Sequence, residues 1–303
     1  MIRIGLVADD LTGACDSSLP FLAAGRVLVG LWPHIPTGDL ACAAVSTETR
    51  SEPALAQTRG RIAASRLEGD LLYRKLDSML RGSPVVDLES ALAVTGGRCL
   101  VAPALPGEGR TTVGGVQRWP GGSVDLRLTL GPLVAEDSIE LRDAVTDADL
   151  EGIAADALAH RDRVLAGSAG LAAALARSLG LGPPPDAPGP GCERPLAVVG
   201  SPAAAAQAAF ARARGRAVQV LGPGEPARLD GHDGLVLTGG ETAARVLGSA
   251  GAEALELLGE ALPRAPLARV RGGELDGLPV VLKAGSFGGE DALELALARL
   301  CAR

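Results

Sequence analysis

Short apolar runs recur through the first part of the chain, each closed by turn residues: IRIGLVA at 2–8, LACAAVS at 40–46, LLYRKL at 71–76, RCLVAPA at 98–104 and RVLAGS at 163–168. Runs of this length, bounded by Gly, Pro, Ser and Asp, predict buried strands. Between them, residues 52–67, 85–94 and 147–160 carry helical spacing, with Thr146 or Asp147 in place to cap the last. Strand and helix alternate, so the sheet is expected to be mostly parallel and covered on both faces.

The same alternation returns after residue 195. LAVVGS at 196–201 leads into an Ala-rich helix and AVQVLG follows at 217–222. GLVLTGG at 234–240 leads into ETAARVLGSAG, and PVVLKAGSFGG at 279–289 into EDALELALARL. Between the two patterns lies GPPPDAPGPGCERP at 182–195, rich in Pro and Gly and without apolar periodicity. It is expected to be an extended, solvated linker. The expected fold is therefore α/β: two open, mostly parallel α/β sheet domains, residues 1–185 and 192–303, with a cleft between them. The glycine-rich stretch 107–122 and the irregular run to about residue 136 are expected to be loops. Ligands of such sheets bind at the carboxyl ends of the strands.

Composition narrows the function classes. With 303 residues, 47% of them hydrophobic, the chain can build one large core or two ordinary ones, and two is the starting expectation. A net charge of -7 and 2% aromatic residues argue against a nucleic-acid partner. No apolar run approaches the ~20 residues needed to span a bilayer, and Arg3 and Asp9 interrupt the first segment where a signal peptide would be apolar, so a cytoplasmic location is expected. The five cysteines are scattered without a CxxC pair, and the three histidines form neither HExxH nor a partner to GxSxG. Among 29 Lys and Arg residues only Lys75 and Lys283 are lysines, and both stand at predicted strand ends. A compact ammonium differs from a guanidinium fork, and phosphate binding is one common use of it.

Five segments can carry chemistry. ADDLTGACDSS at 8–18 sets Asp9 and Asp10 at the end of the first strand, with Asp16 one turn further on. One of the pair can be a helix cap, but adjacent like charges repel, and a ligand or cation would offset that cost. YRKLDSMLRGSP at 73–84 crowds Lys75, Asp77, Ser78 and Arg81 into one turn, suited to an anion, with a surface ion pair as the plainer alternative. APALPGEGRTT at 102–112 offers Arg110, Thr111 and Thr112. TGGET at 238–242 and KAGSFGGED at 283–291 put glycine amides, with Lys283, at helix entrances, which suits phosphate and is also what any tight turn needs.

Taken together, these segments resemble the four-carbon acid sugar kinase family, whose pattern runs ADDLTGA-D, K-DS-LRG, APA-P--GRTT and then GS, GG[DE]T and K-G-FG. The resemblance implies an ATP-dependent kinase acting on the terminal hydroxyl of threonate, erythronate or a 3-oxo-tetronate, with acid on the first domain, ATP on the second, and Mg²⁺ on the phosphates. It implies catalytic roles for Asp9 or Asp10 and acid binding by Lys75, Asp77, Ser78 and Arg81, joined by Arg110 from the loop reading. Nucleotide binding would fall to Ser201, Gly239, Gly240, Glu241, Thr242 and Gly285, with Lys283 beside them. Arg81, with or without Lys75, is expected to clamp the substrate carboxylate. The partners are then a sugar acid and ATP, with a homo-oligomer among the possible assemblies. The chain is shorter than family members usually are; it lacks a His- and Pro-rich loop near 122–135 and is trimmed between residues 222 and 235. A non-catalytic sensor of sugar acid or nucleotide is the alternative, and a dehydrogenase lacks its GxGxxG.

Overall fold

The structure, a computed structural model, describes residues 2–160, 164–222, 224–285 and 288–302. Arg163 of the RVLAGS run and Ser286 and Phe287 of KAGSFGGED lie outside them. The amino-terminal half forms β1 (Ile4–Ala8), α1 (Leu11–Ser18), β2 (Val27–Leu31), β3 (Cys42–Ser46), α2 (Pro53–Arg66), β4 (Leu71–Lys75), α3 (Pro84–Thr95) and β5 (Cys99–Ala102). It continues through β6 (Thr111–Val113), β7 (Val116–Trp119), β8 (Gly122–Asp125), α4 (Leu126–Thr129), α5 (Gly131–Ala135), β9 (Ile139–Leu141), α6 (Asp147–Ala159), β10 (Val164–Gly167) and α7 (Ala169–Ser178). The remainder forms β11 (Pro195–Val199), α8 (Ala205–Ala213), β12 (Val218–Val220), β13 (Gly234–Thr238), α9 (Gly240–Ser249), β14 (Ala254–Leu262), β15 (Ala265–Arg271), β16 (Pro279–Lys283) and α10 (Ala292–Cys301).

The class is the expected one, α/β with mostly parallel pairing, and its two parallel blocks are continuous. One 13-stranded sheet runs β12-β11-β13-β16-β15-β14-β2-β3-β1-β4-β10-β5-β9. Within each block the pairing is parallel, as crossover helices require, while β14 pairs antiparallel with both β2 and β15, and β15 antiparallel with β16. These three pairings bridge the parallel blocks, and β2–β14 is the one that joins the halves. One apolar cluster likewise unites Ile4, Leu6 and Leu175 with Leu196, Leu235 and Val280.

Two segments differ from expectation. The 182–195 segment is extended and mostly exposed, but it is anchored rather than free: Ala187 and Cys192 are buried, Gly191 N and Cys192 N donate to Ala302 O and Leu300 O at 2.8 Å, and Glu260 N donates to Pro185 O. Its backbone has no helix of its own, so it finds partners on α10 and β14. The 107–136 stretch is not simply loop: β6, β7 and β8 make a small antiparallel sheet, followed by α4 and α5. Positive-φ Gly114 and Gly115 make its first turn, whose amides bond the Asp143 carboxylate, and buried Gln117 reaches from β7 to Ser78 O at 2.8 Å. That sheet therefore supports the K-DS turn.

Candidate active site

β1 delivers two carboxylates to the sheet's rim. Asp10 is the N-cap of α1: its Oδ1 accepts from Gly13 N at 3.1 Å and its Oδ2 from Thr12 Oγ1 at 2.7 Å. Asp9 points elsewhere. After β3, the amides of Thr49 and Arg50 both bond Asp9 O, folding that loop back over β1. Arg50 then donates from Nε and Nη2 to Asp9 at 2.9 and 2.7 Å, and Nη2 lies 2.8 Å from Asp10 Oδ1 and 3.7 Å from Asp77 Oδ1. Arg50 is thus the cation that offsets the paired acids. Burial alone would raise the Asp10 carboxyl, but Arg50, Lys75 and the Thr12 hydroxyl outweigh it and hold Asp10 below the usual carboxylate range.

β4 delivers Lys75, Asp77 and Ser78, all buried. Asp77 ties its own turn together, accepting from the amides of Met79 and Arg81 at 3.1 and 3.2 Å. The Arg81 fork also closes on Asp77, with Nε and Nη2 at 2.8 and 2.7 Å. Burial again opposes ionisation of Asp77, and Arg81, Arg50 and Lys75 overcome it and hold the carboxyl well down. The expected clamp on a substrate carboxylate is therefore engaged with a carboxylate of the chain itself. Arg110 donates to Ser78 Oγ from the other side, and burial lowers its guanidinium pKa. Lys75 needs Gly13: a Cβ there would stand 3.0 Å from Nζ and 2.3 Å from Asp10 Oδ1.

The second half contributes backbone. Gly239, at φ +89, is the N-cap of α9, and its amide bonds Lys283 O at 3.0 Å. A Cβ on Gly200 would stand 1.9 Å from Thr242 Oγ1, and one on Gly285 2.2 Å from Ser201 Oγ. Glycine at both places lets the three strand ends close together. Lys283 ends β16 buried, its ammonium donating to Ala284 O at 3.1 Å, and desolvation lowers its pKa to about 8. The two halves meet at Gly240, where an added Cβ would lie 2.4 Å from Asp10 Oδ2 and 3.0 Å from Thr12 Oγ1.

Two cavities flank that contact. One, about 70 Å³, is lined by Asp10, Arg50, Lys75, Asp77, Ser78, Arg81 and Arg110, with Asp16, Ser168 and Arg264 among the rest. The other, about 330 Å³, is lined by Gly200, Ser201, Gly239, Gly240, Glu241 and Thr242, and again by Asp10 and Arg50. Asp9, Lys283 and Gly285 line neither of these two.

Three residues on these walls or just behind them are not evident from sequence motifs. Arg50 follows a predicted strand end by four residues, and that position at the rim of a parallel sheet is the signal that could have found it. Glu48, in the same loop at φ +51, accepts from Ser46 Oγ, and burial next to Asp10 and Asp9 raises its carboxyl to about 8. Arg264 sits in the β14–β15 turn, which no motif marks.

The comparisons with known proteins fall on the same division. Residues 4–127 match a family model described as a sugar-binding N-terminal domain, and residues 201–293 one described as a nucleotide-binding C-terminal domain. A D-threonate kinase of Bordetella bronchiseptica is 30% identical over 395 aligned positions, covering 96% of this chain and 95% of the relative. That alignment is longer than the chain, so the relative carries segments without counterpart here. A crystal structure of a B. bronchiseptica domain of unknown function, a domain-swapped dimer with bound citrate, shares 28% identity over 99% of this chain and 98% of that one, at a TM-score of 0.50. A Haemophilus influenzae protein shares the fold at a TM-score of 0.70, with 18% identity over 97% of this chain and 99% of that one. With one relative matched across nearly its whole length and both halves recognised in order, the chain belongs to the four-carbon acid sugar kinase family.

Proposed function

We propose that the chain transfers the terminal phosphate of ATP to the terminal hydroxyl of a four-carbon sugar acid of the threonate type. The observation that carries this reading is the shared wall: Asp10 and Arg50 line both cavities, so an acid among Lys75, Ser78 and Arg110 and a polyphosphate at the first-turn amides of Gly240 and Glu241 would reach one carboxylate from opposite sides. Helix α9 aims its amino-terminal end at that point, where backbone amides and the helix dipole favour negative charge.

Asp10, kept ionised by Arg50 and Lys75, would accept the substrate hydroxyl's hydrogen bond and take its proton as the new bond to phosphorus forms. Asp9 lines neither cavity and acts as a positioning residue, holding Arg50 through two hydrogen bonds. Arg50, at the boundary, would face the charge developing on the transferring group. Mg²⁺ would be carried chiefly by the nucleotide phosphates and their waters, supplying charge neutralisation when bound. Asp10 and Glu241 are carboxylates on the nucleotide side, enough for a cation that keeps most of its water. The names of the relatives and the citrate held by the Bordetella protein support a carboxylate-bearing substrate. That protein's dimer supports self-association here, and use of ATP would fit a cytoplasmic site of action.

The test is a coupled ADP-release assay with Mg-ATP over the stereoisomers of threonate, erythronate and 3-oxo-tetronate. Turnover with at least one acid is expected, reduced about 10²- to 10⁴-fold by Asp10→Asn. Binding of acid and nucleotide in calorimetry without ADP release would instead make the protein a sensor.

A further inference from the structure

The acid cavity is not built by the amino-terminal half alone. Arg264, Leu282 and Ala284, all from the second half, complete its wall. Arg264 stands at the tip of the β14–β15 hairpin with φ +60, a left-handed conformation that a side-chain-bearing residue adopts at a cost, and its amide is pinned by Glu260 Oε1 at 2.6 Å. Its guanidinium crosses to the other half, donating from Nη2 to Asp16 on α1, with Nε 3.7 Å from Glu108. It also lies close enough to Arg110 to add to the lowering of that residue's pKa, which burial begins.

We propose that Arg264, together with Arg110, binds the carboxylate of the sugar acid, so that a small hydroxy acid is gripped by both halves at once. The inference rests on the acid pocket of the proposed function and assigns its anion site. Of the arginines on this wall, Arg81 forks onto Asp77 and Arg50 is shared by Asp9 and Asp10, both arrangements built on strongly held carboxylates. Arg264 faces a weaker competitor. Burial raises the Asp16 carboxyl, with Arg264 and Lys75 compensating only in part, so an arriving carboxylate can take over the guanidinium while Asp16 turns to a substrate hydroxyl. Acid binding would then tie the hairpin to α1 next to the point where Gly240 meets Asp10.

A plainer role for Arg264, neutralising Asp16, is separable by a double-mutant cycle. D-Threonate, D-erythronate and their enantiomers are titrated calorimetrically, without nucleotide, into the wild type and into Arg264→Ala, Arg264→Lys, Asp16→Asn and the Arg264→Ala/Asp16→Asn double variant. Arg264→Ala is expected to weaken acid binding about tenfold or more while the KM for ATP stays within about twofold. Arg264→Lys should restore the charge but not the fork, and so recover only part of the loss. The double variant should stay weak. Recovery of acid affinity in the double variant, or unchanged affinity in Arg264→Ala, overturns the proposal, as does a wild type that binds none of the acids. A wild type that binds acid but releases no ADP defeats the kinase reading and leaves this test in force. Should Arg264→Ala fail to fold, Arg264→Lys carries it: undiminished acid affinity in that variant overturns the proposal.

Discussion

Glu48 shows how the site's charges bear on stability. It is a half-buried carboxyl next to two others, and desolvation leads the causes that raise it from 4.5 to about 8. In the unfolded chain it would ionise near its ordinary value, so between about pH 4.5 and 8 the native state binds the extra proton and stability falls as pH rises. The stabilisation is complete below the unfolded value and gone above the folded one. Glu48→Gln should remove this contribution, up to about 1.4 kcal/mol per pH unit, from the stability profile measured by urea unfolding at pH 5, 6, 7 and 8. A variant whose profile keeps the wild-type slope would place the titration elsewhere. Adjacent Asp9 and Asp10 were legible in sequence as a charge cost needing a cation. Which cation was not, because Arg50 reaches them only after β3 lies beside β1.

At the scale of elements, the two halves approach each other in the site where α9 meets α1, and glycine permits it. Gly240 has ordinary backbone angles, so alanine there meets no backbone strain, only the Asp10 carboxylate at 2.4 Å and the Thr12 hydroxyl at 3.0 Å from the new methyl. Gly240→Ala should push the helix entrance off Asp10 and cost about 100-fold in kcat, with the melting temperature nearly unchanged. Gly248→Ala, on the same helix with nothing near its Cβ, should keep full activity in the same assay. Equal activity of the two variants would remove the α9 entrance from the chemistry. Most of the parallel strands, β2 and β9 excepted, and α2, α3 and α6 were readable from apolar runs and helical spacing, with Thr146 among the caps offered for the last. β14 was not: ALELLGEAL is written in strong helix formers, and only its neighbours β2 and β15 make it a strand. The Arg264 wall of the smaller cavity was hidden with it.

At the scale of the whole molecule, the family division into a sugar-binding and a nucleotide-binding part suggests two folding units, and the Pro-rich segment between them reads that way too. The packing argues for one. β14 joins β2 through Ala254–Gly30, Leu255–Val29 and Glu256–Leu28, and a single apolar cluster draws side chains from both halves. The connecting segment is itself bonded to α10 and β14. Unfolding the second half alone would expose the edge of β2 and the apolar surface of α1, a cost that couples the halves. Calorimetry should therefore show one transition, with van't Hoff and calorimetric enthalpies in agreement, and a sugar acid should shift that whole transition upward. Two resolved peaks, only one of them moved by the acid, would mean that the β2–β14 junction yields before either core does. The Arg264 contact would then be made only in a closed state, and the nucleotide-binding half would be free to swing away from Asp10.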